Sequence, residues 1–325
     1  MINTMPTTNT VIYAGVDVAK ATLQLHVQGQ QSEFSNTPKG LLHLCAQLKK
    51  APSVHVVCEA TGGYECALVK ALQQAQIPVS VTNPARVRAA AQAQGQRAKT
   101  DQIDARGLTD YGERYQPAPT PPTSATQDQL VALTQWLKQL IDGRALAKTQ
   151  AEHHQLPFVR RQHAKLMAHL QSQIEAVEKQ IEALLKQDAP LQQRVHCLDE
   201  IQGVGPRTAW TVLAHMPELG QLNRQAAAAL AGLAPWTRES GTMKGLRCIG
   251  GGRPEVRVAL YMAALSAVRC NPVLRDLYQH LRAKGKLAKV ALTAVMRRLL
   301  TYMNARLKAL LADTATAGAD QSKTA

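Results

Sequence analysis

The sequence predicts an α/β N-terminal domain built on a mixed central sheet, followed by an all-α helical hairpin or coiled coil and a mostly helical C-terminal domain. Three observations carry this expectation. Short apolar or alternating runs at 11–18, 23–28, 54–60 and 78–83 have strand length, and they give way to alternating helix and strand only after the first few. The segment QPAPTPPTS (116–124) is a proline-rich stop that ends the alternation, and beyond it the apolar residues recur at helical spacing.

The first run, VIYAGVDV (11–18), is apolar and closes on an acid, and LQLHVQ (23–28) alternates as a half-buried strand does. A third short strand is expected near SEFSNT. A helix from Pro38 to Lys49 leads to a buried-type strand, VHVVCEA (54–60), and then to the amphipathic TGGYECALVKALQQAQ. PVSVTN (78–83) is another strand, PARVRAAAQAQG a helix opened by proline in its first turn, and TDQIDARGLTDYGERY a further helix. These elements form a first domain over 10–115, with 116–124 as linker.

In the region 125–190, Leu166, Leu170, Ile174, Val177, Ile181 and Leu184 step by 4, 4, 3, 4 and 3 residues, close to a heptad seam. An intramolecular hairpin turning near Pro157 and a dimerising coiled coil both satisfy that spacing. A third unit is expected over 191–312. It contains IQGVGPRTA (201–209), with the glycine spacing of a helix-hairpin-helix turn, in which Gly203 and Gly205 let backbone amides approach a phosphate beside Arg207. A basic, glycine-rich loop then separates two apolar helices, and residues 313–325 read as a disordered tail.

Composition narrows the function. At 325 residues the chain accommodates two cores, and no stretch has the unbroken apolar length of a membrane span. The N-terminus MINTMPTTNT lacks the basic and apolar regions of an export signal, so a cytoplasmic, nucleoid-associated location is expected. Six scattered cysteines with no CxxC pair argue against a zinc knuckle or a disulfide frame. Net charge is +15 and uneven: residues 1–120 carry 11 basic and 8 acidic side chains, 121–200 carry 9 and 9, and 201–325 carry 18 and 6. So basic a C-terminal third reads as a surface for a polyanion, nucleic acid first.

Four acids stand at telling positions. Asp17 lies inside the first apolar strand and Glu59 at the end of the central one, where an unpaired carboxylate is expensive. Asp101 and Asp104 lie three apart at a helix start and so share a face. Taken singly, each has an ordinary explanation as a cap, a pair or a solvated face. Together they form a hypothesis of a four-carboxylate site whose hard oxygens favour Mg²⁺ or Mn²⁺ and suit phosphoryl transfer. A second constellation is Arg238-Glu239-Ser240-Gly241, followed by Lys244, Arg247 and Gly250-Gly251-Gly252-Arg253. Glycines flanked by arginines can wrap a phosphate. Read from the residues alone, Ser240 is a hydrogen-bond donor before it is a nucleophile, and no histidine neighbours it. Arg97, Lys99, Lys244, Arg247, Arg253 and Arg257 are the candidate phosphate contacts.

The segments "GVDVAK", "CEATGGY", "NPARVRAAAQAQGQRAKTDQIDA", "IQGVGPRTA" and "LAGLAPWTRESGTMKGLRCIGGGRPEVRVALYMAALSA" occur in this order from about Val11 to Leu300. The chain thereby resembles the DEDD transposases of the one-ten insertion-sequence family, the bridge-RNA-guided recombinases. The resemblance implies a ribonuclease H-like, RuvC-like N-terminal domain whose Asp17, Glu59, Asp101 and Asp104 bind Mg²⁺. It also implies a C-terminal transposase domain in which Ser240 forms a covalent phosphoserine link to DNA. Donor and target DNA, a structured guide RNA, and a tetramer assembled from dimers are the implied partners, the acids of one protomer working with the serine of another. Two alternatives remain open at this point. One is a RuvC-like metal-dependent nuclease or resolvase that uses water as nucleophile, and the other is a nucleic-acid-binding protein with an inactive catalytic fold.

Overall fold

The computed structural model describes residues 11–321 apart from Arg97, Lys99, His154, Arg238, Gly241, Thr242 and Leu246; at Glu239, Met243, Lys244 and 315–321 it describes the backbone only. The chain forms two compact units that divide between Thr123 and Ser124. No helix among the described residues is long and apolar enough to cross a membrane.

The first unit runs β1 (Ile12–Val18), β2 (Thr22–Val27), β3 (Gln30–Ser35), α1 (Pro38–Leu48), β4 (Val54–Glu59), α2 (Glu65–Gln74), β5 (Val79–Thr82), α3 (Pro84–Ala93) and α4 (Asp101–Tyr115). Its sheet has the order β3-β2-β1-β4-β5. β1, β2 and β3 pair antiparallel, while β1–β4 and β4–β5 are parallel. This is the mixed sheet that the order of strands and helices predicted.

Alternation along the strands sends the side chains to two different layers. Ala14, Val16 and Val18 of β1, with Val54, Val56 and Cys58 of β4, face α1 and α2 and close a core with Leu44, Leu68 and Leu72. The residues between them face the other way: Tyr13 and Val57 pack with Val87 of α3 and Leu108 and Tyr111 of α4. β4 is buried at five successive positions, as expected of a strand covered on both faces. The helix starts are encoded locally. Asn83 and Thr100 accept from the amides of Ala85 and Ile103, and Pro84 opens α3.

The proline-rich segment is part of the first unit and lies along the edge of β5. Thr120 donates its amide to the Val79 carbonyl at 2.8 Å and accepts from the Val81 amide at 2.9 Å, while Ser80 Oγ donates to the Ala118 carbonyl at 2.7 Å. Prolines suit an edge, where they lack the amide that a further strand would need.

The second unit contains α5 (Ala125–Ala151), α6 (Pro157–Leu185), α7 (Ala189–Asp199), α8 (Pro206–His215), α9 (Arg224–Leu230), β6 (Pro235–Trp236), β7 (Glu239–Ser240), β8 (Met243–Lys244), β9 (Cys248–Ile249), α10 (Pro254–Cys270), α11 (Pro272–Ala283) and α12 (Ala288–Gln321). α5 and α6 form an intramolecular hairpin with Pro157 at the first turn of α6. The heptad seam is buried from Ile174 onward and joins one core with Trp210, Leu213, Leu260, Val295 and Leu299, whereas Leu166 is exposed. Gln127, buried in α5, donates to the Leu213 and Ala214 carbonyls at the end of α8. The hairpin and the C-terminal helices therefore share a core. α12 continues through Gln321, past residue 313, where the sequence reading began a disordered tail.

Candidate acidic cleft and serine finger

The parallel register places the first two acids side by side. Val16 pairs with Cys58, so Asp17 and Glu59, each one residue further on, stand level at the C-terminal ends of adjacent strands. Both continue the face that carries Tyr13, Gly15 and Val57, the face covered by α4.

α4 brings the other two acids to that edge. It runs antiparallel to β1: a Cβ placed on Gly112 would meet Tyr13 Cδ1 at 2.6 Å, and one placed on Gly15 would meet the Thr109 amide at 2.6 Å and Leu108 Cβ at 2.8 Å. Following β1 from Tyr13 to Asp17 thus means following α4 back to its first turn, where Asp101 and Asp104 sit. The close approach depends on the missing side chain at Gly15. It is held by Thr109, whose Oγ accepts from the Gly15 amide at 2.9 Å and lies 3.0 Å from the His26 carbonyl. His26 Nδ1 is 2.9 Å from the same hydroxyl, and burial holds the His26 pKa below its ordinary value.

The turn after Glu59 is also fixed. Gly62 and Gly63 take φ of +72° and +109°, conformations that glycine supplies without steric cost. The Glu65 carboxylate at the start of α2 accepts from the amides of Thr61 and Gly63 at 3.1 and 2.8 Å.

All four acids line one cleft of about 920 Å³. Arg88, Gln92 and Gln96, from α3 and the residues after it, line it too, and sequence reasoning assigned them no role. The ligands the cleft offers are carboxylates, carrying hard oxygens that match a divalent ion of the Mg²⁺ or Mn²⁺ type. Among the described residues no three His, Cys, Asp or Glu side chains are already grouped to hold an ion. Donor type and shared cleft fit a divalent ion. Arg97 and Lys99 lie outside the described residues.

Ser240 belongs to the second unit. β6 pairs with β9 and, within that pair, β7 pairs with β8, so these four strands form a narrow nested finger. Ser240 pairs with Met243 in the inner of the two ladders and is exposed. Where the sequence suggested a loop, four two-residue strands form.

A transposase family model matches residues 14–157, and a second, described as Transposase IS116/IS110/IS902 family, matches residues 195–279. The chain is 30% identical over 303 residues to the pilin gene-inverting proteins of Moraxella lacunata and Moraxella bovis, covering 89% of this chain and 93% of each relative. The chain belongs to the IS110 family of transposases. The transposase is thus an enzyme that cuts and rejoins DNA. It is also 32% identical over 147 residues to the Insertion element IS110 uncharacterized 43.6 kDa protein of Streptomyces coelicolor, covering 45% of this chain and 35% of that one. Among solved structures, T. thermophilus RuvC in complex with Holliday junction substrate covers 34% of the transposase at 15% identity with a TM-score of 0.27, and 99% of the RuvC chain is matched.

The predicted phosphate contacts of the transposase fall into distinct settings. Gly203 has φ of +97° and packs on the backbone of α10, where a Cβ would meet the Ala267 amide nitrogen at 2.7 Å. Gly205 caps α8 and faces open space. Arg207 pairs with Glu178, and Arg253 pairs with Glu218 at 2.6 Å. In the glycine run, Gly252 closes against Gly232, the Arg253 amide donates to the Leu230 carbonyl at 2.8 Å, and Arg257 donates to the Gly251 carbonyl at 2.6 Å. These contacts close the base of the finger. Arg247 and Arg257 line a common groove. Lys244 is described only in its backbone, within β8.

Proposed function

We propose that this transposase recombines donor and target DNA through a serine nucleophile working with a divalent-metal site, guided by an RNA encoded in its element. The observation that carries the reading is the convergence of Asp17, Glu59, Asp101 and Asp104 on one cleft from three elements remote in sequence. Divalent ions held by these carboxylates, Mg²⁺ or Mn²⁺, would offset the negative charge that develops on the phosphoryl oxygens during transfer.

The role of the chain's own groups follows from their placement. Asp17 and Glu59 are anchored by paired strands and Asp101 and Asp104 by a helix pinned at Thr109, so the acids start from rigid supports. Ser240, exposed on β7, is accessible to a phosphodiester. Its Oγ–P bond forms as one bridging P–O bond breaks; the hydroxyl proton leaves and the departing sugar oxygen takes one up. Reversal with a different sugar hydroxyl rejoins the strand and frees the serine. In this reading the acids of one protomer serve the serine of another in a tetramer. Arg97, Lys99, Lys244, Arg247 and Arg257 each hold backbone phosphates, as do the backbone amides at Gly203 and Gly205, and Arg207 and Arg253 join them by exchanging Glu178 and Glu218 for phosphate. The guide RNA supplies sequence choice by base pairing, as in other RNA-guided systems.

A denaturing gel of the protein with Mg²⁺, element-derived RNA and labelled donor and target DNA tests the chemistry. The expected result is a slow protein-linked DNA band that disappears in Ser240→Ala and in Asp17→Asn. Cleavage without such a band, equal in the parent and Ser240→Ala, would assign the attack to water and establish the resolvase-like alternative.

A further inference from the structure

Beside the serine finger, a groove of about 850 Å³ runs between its outer strands and the helices α10 and α12. Its cations are Arg247 of the finger, Arg257 of α10, and Lys289 and Arg297 of α12, and none of its described lining residues is a carboxylate. Arg247, Lys289 and Arg297 form no ion pair with a described residue. The hollow at the start of α8 differs: it is lined by Glu178 and Glu182, with Arg207 already paired to the former. The groove therefore offers a polyanion uncompensated positive charge that the helix-hairpin-helix turn does not.

Two further features describe the ligand. Lys289, Thr293 and Arg297 recur every fourth residue, so they form one stripe of α12 about 12 Å long, along which an extended backbone can lay its phosphates. Across from it, Val258 and Tyr261 of α10 and Ile249 of the finger supply an apolar wall, with Val258 and Ile249 exposed and Tyr261 half-buried. A duplex backbone needs charge alone. A charged stripe facing an aromatic and apolar wall matches a single strand, whose phosphates take the cations while its unstacked bases meet the wall.

We propose that this groove seats a single DNA strand, with its phosphates on Arg247, Arg257, Lys289 and Arg297 and a base against Tyr261. The assignment to DNA rests on the serine reading, because Arg247 and Cys248 of the groove belong to the segment that carries Ser240. Strand seating along the outer strands of the segment that carries the serine would hold an opened strand while the phosphodiester is exchanged.

Fluorescence anisotropy of the full chain, without divalent ions, tests the groove apart from the chemistry. The probes are a labelled mixed-sequence DNA oligonucleotide, its duplex and the corresponding RNA. Lys289→Gln with Arg297→Gln is expected to reduce the single-strand salt slope by about 1.4, at roughly 0.7 per phosphate. Tyr261→Leu, which keeps apolar bulk but loses the flat ring, is expected to weaken single-strand binding about fivefold or more, with an unchanged slope and little effect on duplex. Thermal melts of both variants confirm that they remain folded. Affinity and slope equal to the parent would overturn the proposal, as would tighter binding of the RNA through the same residues. Ser240→Ala is expected to bind the strand normally; absence of the protein-linked band from the parent protein, with these binding effects intact, would remove the serine reading and leave the groove a strand site.

Discussion

Replacing Gly15 with alanine tests whether the close packing of α4 on β1 sets the acidic cleft. Gly15 has an ordinary strand conformation, outside the positive-φ glycines, so alanine brings no backbone strain and the effect is steric. The new Cβ would lie 2.6 Å from the Thr109 amide nitrogen against an ordinary contact of 3.4 Å, and it would press further into the Ala105 carbonyl. Both are helix backbone, and the Ala105 oxygen would be only 2.0 Å away, so α4 must retreat as a unit by about 1.4 Å to restore an ordinary contact. Overpacking of this kind destabilises by about 1–3 kcal/mol. Because Asp101 and Asp104 open the displaced helix, a shift of this size should also lower DNA cleavage by about 10²-fold. Gly112→Ala is the comparison. Its Cβ would meet Tyr13 and Val57 side chains at the far end of α4, so it should cost stability with a much smaller loss of cleavage. Denaturant unfolding and strand-cleavage rates, both measured where each variant is folded, separate the two effects. Equal cleavage losses in the two variants, or parental cleavage in Gly15→Ala, would refute the argument that this contact positions the acids.

Thr109→Val removes the hydroxyl shared by the Gly15 amide and the His26 carbonyl, and should lower unfolding free energy by about 1–3 kcal/mol because both groups stay buried; parental stability would show that the pin is dispensable. Burial lowers the pKa of His26, His55 and His215 from 6.5, so their contribution to stability is complete above pH 6.5 and is lost as pH falls through the lowered values. Melting temperature should decline on acidification below that point, and less steeply in His55→Gln; identical profiles for the two proteins would count against His55. Cys66, Cys248 and Cys270 are exposed, whereas Cys45, Cys58 and Cys197 are buried and desolvation pushes the Cys58 thiol up to about 12. A thiol reagent should therefore titrate three groups rapidly in the folded chain, and fast labelling of Cys58 would show that β4 opens readily.

What the sequence made legible was local. Asp17 and Glu59 stood out because acids seldom occupy apolar strands, and Asp101 and Asp104 because their spacing at a helix start puts them on one face, the first turn that the structure caps with Thr100. Their proximity to the helix N-terminus is itself favourable, which offsets part of their mutual repulsion. Sequence reasoning assigned Gly15 no role, although glycine inside a strand can mark a close backbone approach. Its partner Thr109 lies 94 residues away, and no periodicity announces such a pairing. Arg88, Gln92 and Gln96 were missed for the same reason: on an exposed helix of small and polar residues they look like surface until α4 folds opposite them. The finger escaped notice because two-residue strands are too short to alternate.

The uneven charge gains a more specific meaning from the ion pairs. Residues 201–325 carry 18 basic and 6 acidic side chains, but some of that excess is compensated inside the second unit. Arg207 and Arg306 pair with Glu178 and Glu200, acids of the neutral segment before them, and Arg253 pairs with Glu218. Those contacts fix α6 to α8, α12 to the end of α7, and α10 to the loop after α8, so the neutral segment balances part of the charge it packs against. Arg247, Lys289 and Arg297 have no such described acid. Composition therefore overstates the number of cations free to meet phosphate and does not say where they are. Since each phosphate contact releases counterions, the salt dependence of binding counts the engaged cations directly. Substitutions at Lys289 and Arg297 should reduce that count, whereas an Arg306 variant should change stability and leave the slope in place.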